Sequence, residues 1–197
     1  QWRSLAPALE AWNKGVEDVL AKLAAYEATT ILNPDQLLAN IQQYRGDHFQ
    51  VVGRLGEMST SRQSIGGEIS PADNLCAFGK WRERFDSGQE LYSRNPNLRR
   101  AMETMVGPHR EFHRSAADVQ RLIREGFDDN ADAIGQRDLD HIAAARDVIA
   151  TFQQILDEVD RSRGLFREAE GFVMGPMREL RATTLASVDS LVAANKH

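Results

Sequence analysis

Apolar residues recur at three- and four-residue steps along nearly the whole chain, the spacing of one helical face turned toward a core. From about Trp2 to Thr30 the seam is Leu5, Leu9, Trp12, Val16, Val19, Leu20, Leu23 and Tyr26. Asn33-Pro34-Asp35 then reads as a stop and restart, with Asn as N-cap and Pro at the first helical position. The second helix is predicted to reach about Met58, with Leu37, Leu38, Ile41, Tyr44, His48, Val51, Val52 and Leu55 inward. Ser59 to Gly67 is polar and aperiodic, a loop.

Ser70-Pro71-Ala72-Asp73 carries the signals of another helix start, predicting a helix through Cys76, Gly79, Trp81 and Phe85 that fades near Asp86-Ser87-Gly88. Asn95-Pro96-Asn97 opens the next, with Leu98, Met102, Met105, His109, Phe112, His113, Ala116, Val119 and Ile123 as its seam. Gly107-Pro108 is expected to kink or divide it, because Pro removes a backbone donor and crowds the preceding turn. After a polar turn at Asp128 to Gln136, Leu139, Ile142, Ala143, Val148, Ile149, Phe152, Ile155, Leu156, Val159 and Leu165 predict a long helix. Gly171 and Gly175-Pro176 interrupt it before a last segment from Met177 to Ala194. The fold class is therefore all-α. The expected form is an up-and-down bundle: residues 1–33 a stalk helix, 34–126 the core unit, and 127–197 a long return along bundle and stalk.

Composition narrows the function classes. Hydrophobic residues at 42% and charged residues at 27% suit a packed domain. The net charge of −5, with no dense Lys/Arg cluster, argues against nucleic acid as a partner. No apolar run approaches the roughly 18–20 residues that a membrane helix needs, so no membrane contact is expected of these residues themselves. Both ends fall within helical patterns, which suggests a fragment between neighbouring membrane helices or ahead of a downstream signalling domain. That reading favours an extracytoplasmic setting, whereas the single thiol suits a reducing, cytoplasmic one.

The chemistry lies in Cys76 and three of the five histidines, His48, His109 and His113, all on predicted inward faces. His109 and His113 are one turn apart, so their rings project from one side of a helix. One thiolate and three neutral imidazoles complete a tetrahedral Zn²⁺ set. A helix start would also favour the thiolate form of Cys76. Each residue taken alone equally suits a bland role: hydrogen-bonded core histidines and a small buried thiol. The residues by themselves leave both readings open. Trp81 and Phe112 are expected to pack around the site, and His141 to lie at the surface. Of the nearby acids Asp47, Glu111 and Asp73, none is singled out to orient the imidazoles. There is no Ser/His/Asp set and no Gly-rich phosphate loop, so no enzymatic activity is expected.

Asp47-His48-Phe49, Cys76-Ala77-Phe78-Gly79-Lys80-Trp81 and Pro108-His109-Arg110-Glu111-Phe112-His113 resemble, in order, the successive motifs of the bacterial chemoreceptor zinc-binding (CZB) domain. The resemblance covers roughly Leu37 to Ile123. It implies a four-helix unit with a zinc site made by His48, Cys76, His109 and His113. It further implies a homodimer and a sensory role in chemoreceptors or diguanylate cyclases, where zinc occupancy or oxidation of the zinc thiolate sets output. The flanks, about 35 residues before and 70 after, depart from the family's usual arrangement and look like a receptor stalk. Two other readings follow from the helical pattern. One is a sensor binding a small ligand between stalk helices, with zinc purely structural. The other is a hemerythrin-like di-iron bundle, which wants more histidines and bridging carboxylates than the seams supply.

Overall fold

The computed structural model describes residues 2–86 and 95–195. Among them there is no strand, and the chain forms an all-α helical bundle: α1 (Trp2–Glu27), α2 (Pro34–Ser61), α3 (Ala77–Asp86), α4 (Pro96–Gly126), α5 (Ala131–Met174) and α6 (Pro176–Ala194). Short 3₁₀ turns at Asp73–Leu75 and Asp128–Asn130 precede α3 and α5. Ser87 and Gly88, where a helix was expected to fade, lie outside the described residues, as does His197. No described helix is long and apolar enough to cross a membrane.

The chain divides into two compact units, residues 31–159 and residues 1–30 with 160–197. The division runs through α5, whose first two thirds belong to the unit built on α2, α3 and α4. In that unit Leu37, Ile41 and Tyr44 of α2 meet Phe78, Trp81 and Phe85 of α3, Met102, Met105 and Phe112 of α4, and Val148, Phe152 and Ile155 of α5. A second cluster, including Leu55, Met58, Ile69, Val119, Ile123 and Ile134, continues the core. Every residue of the predicted α4 seam is buried; of the α2 seam Leu37, Ile41, Tyr44, His48 and Leu55 are buried, while Leu38, Val51 and Val52 are half-buried against the same core.

In the other unit α1 pairs with α6. A Cβ on Gly15 would stand 2.6 Å from Leu180 Cδ1, so the backbone there lies hard against α6. Lys22 and Glu168 form an ion pair, and the rings of Tyr26 and Phe166 meet at a tilt, 5.5 Å apart.

Four local expectations are corrected. Asn33 does precede α2, but in the left-handed region (φ 55°) and without a side-chain cap; Asn95, by contrast, caps α4 through Asn97 N and Leu98 N. No α-helix starts at Ser70. Its hydroxyl accepts from Ala72 N at 3.2 Å, the 3₁₀ turn follows, and α3 begins only at Ala77. α4 is not divided at Pro108. Pro108 removes the amide that the Thr104 carbonyl would accept from, and Thr104 is exposed, so water can take the place of that amide. Gly135 and Gly171 lie inside α5, and only Gly175-Pro176 breaks it.

Candidate metal centre

α2, α4 and the residue preceding α3 each deliver donors to one point. His48, Cys76, His109 and His113 each offer one ligand atom, and these atoms all lie within 4.8 Å of one another. His109 Nε2 is 3.1 Å from His48 Nε2 and 3.4 Å from Cys76 Sγ. Donor–donor edges of about 3.3–3.6 Å follow from tetrahedral zinc bond lengths, so the two shortest distances already match such a set and the others lie within about 1.5 Å of it.

The outer contacts decide where the protons sit. His48 Nδ1 is 2.6 Å from the Tyr44 carbonyl, one turn back in α2, which makes Nδ1 the donor and leaves the Nε2 lone pair facing inward. His113 is held by a backbone hydrogen bond at Ser70, and its Nε2 has no protein partner. His109 turns Nδ1 toward Asp73 Oδ2, 3.7 Å away. Lone pairs so converged repel one another, and a cation placed between them removes the repulsion. The residues present therefore fit a metal ion.

Electrostatics point the same way. Burial, then repulsion from His113 and His48, pushes the His109 pKa down to about 2. Burial and His48 push that of His113 to about 4, and burial lowers His48. All three imidazoles are neutral at ordinary pH, the form that coordinates metal.

Cys76 has an arrangement that periodicity did not predict. It is not inside a helix but extended just before α3 (φ −72°, ψ 163°), where its sulfur accepts from Gly79 N at 3.1 Å. It thus caps the helix as a serine would. The amides of Gly79 and Phe78 lower its pKa, but burial outweighs them and raises it, contrary to the expected net effect of a helix start. Gly79 is required for this turn, since a Cβ there would fall 2.0 Å from the Asp73 carbonyl oxygen.

Aromatic rings enclose the donors. Phe112 and Phe152 lie 4.9 and 5.3 Å from the His48 ring, and Trp81 is buried with Tyr44, Phe78 and Phe85. His141 is not at the surface. It is buried on α5, with Nδ1 3.2 Å from the Phe112 carbonyl and 3.3 Å from Ser115 Oγ. It stands outside the four-donor group but fixes the backbone immediately before His113. Glu111 turns away, toward Arg114 and Arg137, and Asp47 is exposed. Asp73 is the acid that faces the site.

Comparison with protein-family models, with curated proteins and with solved structures finds no match for this chain.

Proposed function

We propose that this chain is the zinc-binding sensory module of a bacterial signal-transduction protein of the CZB kind, itself without enzymatic activity. The convergence of one thiol and three imidazoles within 4.8 Å carries the reading. That donor set suits zinc. It includes no bridging carboxylate, which disfavours a di-iron site. Four protein ligands also leave no open position for a reactive water, so the ion would clamp α2, α4 and the start of α3 rather than turn over a substrate. Gaining or losing it would change how those helices pack, and a signalling domain elsewhere in the protein would read the change.

Elemental analysis of the purified protein should find about one zinc per chain, removed by chelation. Cys76→Ser, which can still cap α3 but replaces the soft donor, should weaken zinc binding by more than about tenfold. A wild-type chain that retains no zinc after dialysis against it removes the proposal.

The homodimer implied by the resemblance belongs to the same reading. Leu185, Val188 and Val192 form an exposed apolar row along α6, at spacings suited to pairing with a second helix. Sedimentation equilibrium should report a dimer, and Val188→Glu should shift it toward monomer. A wild-type monomer at high micromolar concentration would set this part aside.

A further inference from the structure

One acid beside the donors, Asp73, is placed by the backbone of a turn rather than by helix phase. Asp73 opens the 3₁₀ turn that ends at Cys76, and its backbone is pinned there: its carbonyl oxygen lies 3.3 Å from Cys76 Sγ and is packed against Gly79. Its carboxylate is consequently aimed at the site. Oδ2 is 3.7 Å from His109 Nδ1 and 3.7 Å from Arg82 Nη1. The His109 ring is completely buried, and its Nδ1 has no hydrogen-bond acceptor at closer range; Asp73 Oδ2 is likewise buried and makes no hydrogen bond. An imidazole donor and a carboxylate acceptor, both shielded from water, thus face each other just beyond bonding distance.

We propose that Asp73 is a positioning residue of the metal centre, accepting the Nδ1 proton of His109 and so holding the His109 Nε2 lone pair on the ion; this rests on the zinc reading above. A cation on Nε2 draws electron density from the ring and makes Nδ1–H a stronger donor, which closes the remaining gap. The carboxylate also places a negative charge beside an ion that three of its four ligands leave uncompensated. His48 and His113 already have backbone carbonyls for the same task, at Tyr44 and Ser70. His109 alone uses a side chain, and that side chain is anchored next to the fourth ligand. One short turn, Asp73 to Cys76, therefore supplies the sulfur and orients the central imidazole.

The test is zinc affinity by competition with a chromophoric chelator, for wild type, Asp73→Asn, Asp73→Ala, His109→Ala and the Asp73→Asn/His109→Ala pair. Visible spectra of the cobalt-loaded proteins provide a second readout. Both single Asp73 variants should bind zinc about 10–100-fold more weakly and shift the cobalt ligand-field bands, while the metal-free melting temperature of Asp73→Asn stays at the wild-type value. In the His109→Ala background Asp73→Asn should have almost no further effect. Wild-type affinity and an unshifted cobalt spectrum in Asp73→Asn would overturn the inference while leaving the zinc reading intact. A full-sized effect persisting without His109 would also overturn it, by showing that Asp73 acts through bulk charge. A wild-type protein that binds no zinc would instead fail the reading on which the inference stands.

Discussion

Gly79→Ala is expected to destabilise the protein by at least about 1–3 kcal/mol, the usual cost of forcing an added methyl into packed surroundings, and to remove the metal site with it. The added Cβ would fall 2.0 Å from the Asp73 carbonyl oxygen, 2.8 Å from Asn74 Cα and 2.9 Å from the Asp73 carbonyl carbon. All three are backbone atoms, so no side chain can swing aside. Either α3 moves outward or the Asp73–Leu75 turn unwinds, and each displaces Cys76. Gly53→Ala is the contrasting substitution, since nothing lies within 4 Å of a Cβ there and the position is an exposed helix interior. It should stabilise by about 0.5–1 kcal/mol. Urea unfolding of the two variants, with zinc content measured on the same samples, checks both. Equal stability of Gly79→Ala and wild type would mean that the turn does not hold this shape.

His109→Ala should have the largest effect on metal affinity, a loss of more than about 100-fold, because orienting contacts alone typically contribute about 10–100-fold. Its Nε2 is the donor in contact with both His48 Nε2 and Cys76 Sγ, at 3.1 and 3.4 Å, and its ring is completely buried. Water would have to replace it in a space lined by Phe78, His48 and His113, whose rings lie 4.9, 5.2 and 4.8 Å from its own. Chelator competition is the measurement. Unchanged affinity would show that the four donors do not share an ion.

Much of this was legible in the chain because α2 and α4 each have one dominant apolar stripe. His48, His109 and His113 sit within those stripes, so turning Leu37, Ile41 and Leu55 or Met102, Met105 and Phe112 inward brings the imidazoles along. The start of α3 was not legible. Ser70-Pro71-Ala72-Asp73 has the residues of a helix cap, but the same short polar side chain serves a local turn equally well. What decides between them is the tight approach of Gly79 to Asp73, a tertiary contact invisible to local pattern.

From Val148 to Val159 the expected seam of α5 is buried or packed against the core, but the phase of its first turns was missed, for a different reason. Leu139 and Ile142 are large and apolar yet 63% and 59% exposed. The buried line is instead Ile134, His141, Val148, Ile155, Ser162 and Ala169, at strict seven-residue steps. In those first turns hydrophobic size favoured the wrong side; the period that holds from Val148 onward, followed back through its polar and small members, would have found His141. Asp73 could not be singled out from Asp47 and Glu111 because its orientation comes from a turn, and turns have no period to read.

The cap made by Cys76 has one more implication. Its sulfur takes an amide from the first turn of α3, a contact that needs no ion, and Phe78, Trp81 and Phe85 pack that helix into the core. Departure of the ion would therefore not melt the segment, as it does a zinc finger. Total helicity should be almost indifferent to occupancy, and a change on binding would lie in the angles between helices rather than in their length.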